Sequence, residues 1–224
     1  MSLYSTTCCY KFCFNIMSFT LLIFLISQAA SGCFSTFQDA DGDNKLVLDV
    51  YMETRCPDTQ VFIDDQLVPV TQLLGGFITV NLYPYGKADE KFVNGKWEFN
   101  CQHGSQECQG NTILACAISI TNQSTYVPFS SCLMKNLNPL ANFKTCCEEY
   151  NLDYDLINEC FEGDKGNSLQ HKYALATSSL VPKLAYIPWI IINKVFSQSN
   201  QDKATTYLKD LICSYFKIRP PQCS

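Results

Sequence analysis

The sequence predicts an α/β protein with a small sheet and a long helical insertion. Residues 46–83 show the order strand, helix, strand, and residues 184–216 return to strand and helix. Between them, residues 84–183 carry short segments of helical periodicity and several cysteines. With 224 residues, 47% of them hydrophobic, the chain can bury a core, which excludes disordered and collagen-like classes. A formal net charge of -5 without any basic block argues against nucleic acid as a partner.

The opening unit places a cysteine between a strand and a helix. Leu46–Met52 is almost entirely apolar and predicts a strand buried on both faces. Helical periodicity starts at Pro57, and we expect Pro69 to kink or end that helix. A second strand is predicted at 77–82. Cys56 therefore lies at the start of the first helix.

The insertion begins with a hairpin and continues as helices. Asn94-Gly95 between two short apolar runs is a strong signal for a two-residue hairpin turn. Helical periodicity is predicted from Glu107 onward and again in three later segments: 143–150, 156–161 and 169–180. The apolar run 187–192 predicts the returning strand, and 204–216 predicts the last helix.

The first 32 residues have the order of a secretory signal peptide. Lys11 precedes the apolar run Ile16–Ile26, which is followed by small residues at 29–32. This run is shorter than the about 20 apolar residues that span a bilayer. We therefore expect residues 1–32 to be removed, residues 33–45 to form an exposed lead-in, and the mature chain to have no membrane partner.

The cysteine content fits an oxidising compartment. Fourteen cysteines are unusual in a reducing cytosol unless the thiols bind metal. Removing the signal peptide removes Cys8, Cys9 and Cys13 and leaves eleven. Because eleven is odd, at least one thiol must be free or paired with another molecule.

Cys56 is the candidate nucleophile. It opens a helix directly after a strand, where free backbone N–H groups and the helix dipole stabilise a thiolate. This is the position of the attacking cysteine in thioredoxin-like oxidoreductases. The usual Cys-x-x-Cys pattern has Thr59 in its fourth position here, and the carboxylate of Asp58 opposes thiolate formation. The alternative is a half-buried Cys56 paired elsewhere. We favour the nucleophile, and we expect Cys56 to be unpaired and accessible at the helix start.

A second constellation lies at residues 101–116, Cys-Gln-His-Gly-Ser-Gln-Glu-Cys-Gln-Gly-Asn-Thr-Ile-Leu-Ala-Cys. Its three cysteines and His103 are possible zinc ligands, but the spacings of seven and eight are loose for a structural zinc site. In an exported chain we favour disulfides, no metal, and a hydrogen-bonded structural role for His103.

These residues resemble the signature of the gamma-interferon-inducible lysosomal thiol reductase (GILT) family, Cys-Gln-His-Gly-x-x-Glu-Cys-x-x-Asn-x-x-x-x-Cys, at every fixed position. The similarity extends to four flanking segments: 83–86, 97–99, 163–166 and 186–189. It covers residues 46–223, so we take 46–224 as one domain carrying the insertion 84–183.

The resemblance implies a thioredoxin-like sheet with an inserted, disulfide-stapled helical region. It also implies reduction of disulfides in polypeptides at acidic pH in endosomes and lysosomes by a Cys-x-x-Cys pair. Cys56 occupies the first position of that pair and Thr59 the second. Pro188 falls where thioredoxin-like proteins have a cis-proline beside the active cysteine, with Ile187 facing the substrate.

The family pattern also implies four disulfides among eight cysteines: Cys101, Cys108, Cys116, Cys132, Cys146, Cys160, Cys213 and Cys223. Cys147 is then the extra cysteine. The side chains of neighbouring helical residues point about 100° apart, so Cys146 and Cys147 do not easily reach partners at the same site. We favour a free buried thiol for Cys147, and a disulfide with Cys33 is the alternative.

Without a second cysteine, two chemistries stay open at Cys56. An external small thiol can act as the reductant that resolves the mixed disulfide, with no bound cofactor, or the substrate's own thiol can resolve it, which makes the protein an isomerase. Thr59 is expected to donate a hydrogen bond to the thiolate. Two further classes are a non-catalytic thioredoxin-like binding module and a secreted structural or signalling domain. The expected location is outside the cell or in the lysosomal or endosomal lumen.

Asn122 and Asp49 are two further residues with a weaker functional signal. Asn122 starts the sequon Asn-Gln-Ser, and we expect it to be exposed and glycosylated. Asp49 lies on the strand before Cys56; a buried proton carrier is one interpretation, and a solvent-facing residue is the commoner one.

Overall fold

The computed structural model describes residues 45–224. The predicted signal peptide 1–32, Cys33 and nearly all of the lead-in 33–45 lie outside the described residues. In chain order the elements are β1 (Leu46–Met52), α1 (Pro57–Phe62), α2 (Val68–Leu74), β2 (Ile78–Pro84), β3 (Asp89–Val93), β4 (Lys96–Asn100), α3 (Ser105–Ile120), α4 (Gln123–Met134), α5 (Pro139–Glu149), α6 (Tyr154–Glu162), α7 (Asp164–Ser178), β5 (Trp189–Ile192) and α8 (Gln198–Tyr215).

The described residues form a three-stranded sheet of order β2-β1-β5. β1 pairs with β2 in parallel and with β5 antiparallel, so the opening strand lies between the two others. Val50 of β1, for example, faces Leu82 on one side and Ile190 on the other. The prediction that residues 46–52 and the returning strand share a sheet is confirmed.

The two faces of the sheet bury different side chains. Alternate residues of β1, from Leu46 to Met52, enter the main core, which α1, α2, α8 and the inserted helices cover. The opposite face carries Tyr51, packed with Trp189 and Ile191 in a smaller cluster. The sheet is therefore covered on both sides, which explains why β1 is apolar almost throughout.

Pro69 was predicted to kink or end the first helix. It does not end the helical segment, and the regular α-helix gives way to a different turn before Pro69, at 63–67. A π-helical turn, Ile63–Leu67, joins α1 to α2, and the Val68 N–H donates to the carbonyl of Ile63. The wider turn leaves room for the proline ring, and Pro69 lies at the start of α2, where a missing N–H is tolerated.

The insertion has a helix that the sequence analysis did not predict. α4 begins after Asn122 and contains Pro128 in its interior, so proline and a polar first turn hide its helical pattern. α7 and α8 also start earlier than predicted, at Asp164 and Gln198. The hairpin is as expected: Asn94 and Gly95 both have positive φ, as a type I′ turn requires.

Residues 45–224 contain four disulfides, three within the inserted helical region and one between α8 and the C-terminal residues. They join Cys101 to Cys108, Cys116 to Cys160, Cys132 to Cys146 and Cys213 to Cys223. These are the eight cysteines named from the family pattern. Two of the bonds link helix to helix, α3 to α6 and α4 to α5. Within residues 45–224, no helix is long and apolar enough to cross a membrane.

Candidate active site

Cys56 is the N-cap residue of α1. Its backbone is extended, with φ −78° and ψ 120°, and Pro57 supplies the first helical residue. The Cys56 N–H donates to the carbonyl of Glu53 (3.3 Å), and its own carbonyl accepts from Gln60 (3.1 Å). The end of β1 and the start of the helix thus fix the cysteine at the first turn of α1, where its side chain forms no capping hydrogen bond.

The Ile187–Pro188 peptide bond is cis and lies against this cysteine. Cys56 Sγ is 4.0 Å from the carbonyl oxygen of Ile187. The structure therefore brings together three of the residues singled out from the sequence. One expectation is wrong: Cys56 is only 8% exposed rather than freely accessible, because it is packed against the loop that carries Ile187.

Thr59 is fully buried one helical turn after Cys56. Its hydroxyl makes no hydrogen bond within the described part of the chain, so the expected bond to the Cys56 sulfur is not formed. The hydroxyl therefore gives the thiol no support in this state.

The residues before Cys56 are held by α3. We call residues 53–56 the Cys56 loop. Asn111 Oδ1 accepts from both the N–H and the hydroxyl of Thr54, each at 2.9 Å, and the Thr54 hydroxyl also lies 3.2 Å from the carbonyl of Glu107. Asn111 and Thr54 are almost completely buried, so these bonds have no competition from water.

A second set of contacts surrounds Glu53. Glu53, His103 and Glu107 form what we call the carboxylate–imidazole cluster. His103 Nδ1 lies 2.5 Å from Glu107 Oε2 and 3.4 Å from Glu53 Oε2. Burial raises the pKa of Glu53, and the charge of Glu107 adds to the rise, against the opposing effects of the Lys87 N–H and His103. Arg55 donates to the carbonyl of His103 and ties the other end of the loop to the same turn.

The distances within this cluster fit a hydrogen bond between His103 and Glu107 better than a bound metal ion. The three side chains offer ligand atoms within 4.8 Å of one another. Two ligands at 2.0–2.1 Å from a tetrahedral ion would lie about 3.3 Å apart. The 2.5 Å between His103 Nδ1 and Glu107 Oε2 is instead a hydrogen-bond distance.

Two glycines allow these close approaches. A Cβ at Gly86, which has φ +62°, would lie 2.1 Å from Glu53 Cγ. A Cβ at Gly110 would lie 2.5 Å from the Thr54 hydroxyl oxygen. Side chains at these positions would therefore displace the Cys56 loop.

A groove of about 390 Å³ lies beside the cis-proline. Its walls come from α1, the loop before β5, and α8. The lining is partly apolar, from Val61, Phe62 and Pro188, and partly polar, with carboxylates from Asp58 and Asp202. Cys56 does not line the groove, but Ile187, whose carbonyl lies against the Cys56 sulfur, does.

The other singled-out residues lie away from this arrangement. Cys147 has no disulfide to any described residue, is fully buried on α5, and has its pKa raised by burial to about 12. Asp49 does not face solvent: it is 2% exposed and accepts from Lys194 Nζ at 2.8 Å. Asn122 is exposed, as expected, and its side chain caps α4.

Glu53, Thr54 and the roles of Glu107 and Asn111 were not predicted from the sequence. A signal for the last two was present, since they are four residues apart on a helix that is otherwise apolar on its buried face. Two polar residues with that spacing on an apolar helix face indicate buried side chains that form hydrogen bonds. They do not indicate which segment of the chain supplies the partners.

The fold and the site define a thioredoxin-like protein of the thiol oxidoreductase class. The fold is supported by two solved structures with low sequence identity. The thiol-disulfide oxidoreductase MdbA from Corynebacterium diphtheriae matches at a TM-score of 0.55 and 14% identity, covering 78% of this chain and 86% of that one. DsbA from Mycobacterium tuberculosis matches at a TM-score of 0.50 and 13% identity, covering 83% and 89%.

The chain belongs to the gamma-interferon-inducible lysosomal thiol reductase family. The family profile "Gamma interferon inducible lysosomal thiol reductase (GILT)" matches residues 47–150. The protein of that name from Carassius auratus is 36% identical over 178 residues, which cover 79% of this chain and 70% of the relative. The mouse protein of the same name is 28% identical over 78% of this chain and 70% of its own length.

Proposed function

We propose that the protein reduces disulfide bonds of polypeptides with Cys56 as its single attacking thiol and an external small thiol as reductant. The observation that carries the proposal is the position of Cys56 at a helix start, 4.0 Å from the carbonyl of Ile187 before the cis-proline. Membership in a family of thiol reductases supports the reaction class. The site of action we propose is the lysosomal or endosomal lumen or the extracellular space, with Asn122 glycosylated.

The reaction needs three thiol–disulfide exchanges. The Cys56 thiolate attacks one sulfur of the substrate disulfide, which forms a mixed disulfide and releases the other sulfur as a thiol after it takes up a proton. A small thiol attacks Cys56 Sγ and releases the second substrate thiol. A second small thiol then attacks the small-molecule sulfur, which frees Cys56 and forms the oxidised disulfide of the reductant. Two small thiols are oxidised for each substrate disulfide reduced.

Ile187 and Pro188 are proposed to bind the substrate, and Thr59 to fill the position of a resolving cysteine without replacing its chemistry. A hydroxyl cannot form the disulfide that would release product inside the site. The groove beside Pro188 would bind the polypeptide on either side of its cystine. Because Cys56 is largely covered, binding must move the neighbouring side chains before the sulfur can react.

The test is reduction of a disulfide-bonded peptide with and without a small thiol. Cys56→Ser should lose all turnover, whereas Cys147→Ser should retain it because that thiol is fully buried. Without the small thiol, the wild type should stop as a mixed disulfide at Cys56. Thr59→Cys should release product from that state unaided. Turnover by Cys56→Ser would disprove the proposal.

The burial of Cys56 favours one other candidate function, a polypeptide-binding module without turnover. The same experiment separates the two. A binding module would retain the peptide in the groove, form no mixed disulfide, and bind equally well after Cys56→Ser.

A further inference from the structure

The carboxylate–imidazole cluster has an unequal arrangement of hydrogen bonds. Each carboxylate has one oxygen fixed by a backbone N–H: Lys87 donates to Glu53 Oε1 (2.7 Å), and His103 donates to Glu107 Oε1 (3.0 Å). Both remaining oxygens face His103 Nδ1, which carries one proton at most. At 2.5 Å that proton belongs to the bond with Glu107, and Glu53 Oε2 has no hydrogen-bond partner among residues 45–224.

The positive groups near Glu53 do not neutralise the two carboxylates of the cluster. Glu53 is 1% exposed and Glu107 is fully buried, so two buried carboxylates share one imidazole that is itself partly exposed. The other charged groups that face the cluster are Lys87, which follows Gly86, and Arg55, which donates to the carbonyl of His103. Two buried carboxylates at such distances are not easily both ionised, and a proton on one relieves the repulsion and the cost of burial.

We propose that Glu53, His103 and Glu107 are positioning residues for Cys56, and that they hold the Cys56 loop more firmly in acid because Glu53 takes up a proton as the pH falls. The connection is short and direct. The Glu53 carbonyl accepts the Cys56 N–H, and Glu53 Oε1 accepts the Lys87 N–H, while Glu53 Oε2 lies 3.4 Å from His103 Nδ1 without a hydrogen bond. When Glu53 is ionised, the first residue of the Cys56 loop carries a buried charge on an oxygen without a hydrogen-bond partner. When Glu53 is protonated, this buried charge is absent.

The direction of the pH effect follows from the burial of Glu53. Its pKa is raised in the folded protein, so the folded state binds this proton more tightly than the unfolded state does. The contribution of Glu53 to stability is therefore fully present below the ordinary glutamate pKa and is lost as the pH rises through the raised value. A protein working in an acidic lumen would have its best-ordered Cys56 loop there.

The test compares unfolding of wild type and Glu53→Gln in urea between about pH 4.5 and about pH 7.5. The unfolding constant of the wild type, divided by that of Glu53→Gln, should rise by up to about tenfold per pH unit across the interval between the ordinary and the raised pKa. Glu159→Gln, an exposed glutamate on α6, is the matched control and should give a ratio independent of pH. A ratio for Glu53→Gln that is equally flat would overturn the proposal.

Hydrogen exchange of the wild type gives a second readout that does not depend on the variant folding. After correction for intrinsic rates, protection of the amides of residues 54–56 should fall as the pH rises, while amides in α6 should not follow this trend. Equal pH trends in both segments, or a loop protection that depends on added EDTA, would overturn the proposal, the latter in favour of a metal ion.

The proposal concerns the same site as the proposed function, but neither readout requires turnover. Cys56→Ser should show the same pH-dependent loop protection as the wild type. Failure of the reductase assay with this pH dependence intact would reject only the proposed chemistry, and the reverse result would reject only the positioning role.

Discussion

Replacing Asn111 with alanine tests how firmly α3 holds the Cys56 loop. The substitution removes the single acceptor of two buried bonds, both at 2.9 Å, from the N–H and the hydroxyl of Thr54. The N–H is left without a partner, which costs about 1–3 kcal/mol. The hydroxyl loses less, about 0.5–1 kcal/mol, because the carbonyl of Glu107 at 3.2 Å remains as an acceptor.

With the added loss of packing, Asn111→Ala should lower the free energy of unfolding by about 2–4 kcal/mol. For a domain of this size, the melting temperature should fall by about 4–16 °C. The Asn111 amide nitrogen has no partner among the described residues, so its removal adds nothing to the loss. The assay is thermal and urea unfolding without reductant, so that the four disulfides stay intact.

The control is Asn158→Ala, at a half-buried helical asparagine whose side chain forms no hydrogen bond within residues 45–224. It should change stability by less than about 0.5 kcal/mol. A double-mutant cycle with Thr54→Val should return a coupling of about 1 kcal/mol for the hydroxyl bond. Alkylation of Cys56 should also become faster in Asn111→Ala, because the loop before it is released. If Asn111→Ala is as stable as Asn158→Ala, then α3 does not hold the loop.

Three further outcomes follow from burial and close contact. Cys147 should resist iodoacetamide in the native protein near pH 8 and react only after unfolding, since burial raises its pKa to about 12; peptide mapping that finds it modified in the native state contradicts its placement. Gly86→Ala should destabilise the protein by about 2 kcal/mol or more, because the new Cβ would overlap Glu53 and the backbone there has positive φ; an unchanged urea midpoint contradicts the contact. Asp49→Asn should cost about 1–3 kcal/mol by urea unfolding, because the buried carboxylate loses the charge that strengthens its bonds from Lys194 and Asn81. A neutral result would show that the charge at position 49 contributes nothing.

The parts of the fold that the sequence predicts are those with strong local patterns. β1 is an apolar run that ends before Cys56, and Asn94-Gly95 supplies the two positive φ values that a tight hairpin turn needs. α4 was missed because Pro128 interrupts its pattern and because its stability comes from packing against α5 and a disulfide. The π-helical turn before Pro69 was missed because local propensity does not distinguish a broken helix from a widened one.

In the candidate site, too, local patterns could be predicted and tertiary contacts could not. The position of Cys56 follows from a strand followed by a helix, and the cis bond at Pro188 was expected only from the resemblance. The partners of the Cys56 loop could not be predicted, because Thr54 and Asn111 meet through tertiary packing of two distant segments. The prediction that Cys56 is accessible was also wrong because of tertiary packing. The residue that covers it, Ile187, lies more than a hundred residues later in the chain.

These contacts explain what the family signature does in this chain. The Asn111 side chain and the Glu107 carbonyl accept hydrogen bonds from Thr54, and the His103 carbonyl accepts one from Arg55. None of these hydrogen bonds reaches Thr59. Thr59 therefore takes no part in the hydrogen bonds of the signature. A chain can match the signature at every fixed position whether its cysteine works in a pair or alone. In this chain the signature thus holds the residues before the first cysteine, and under the proposed mechanism the residue at position 59 decides how the mixed disulfide is resolved.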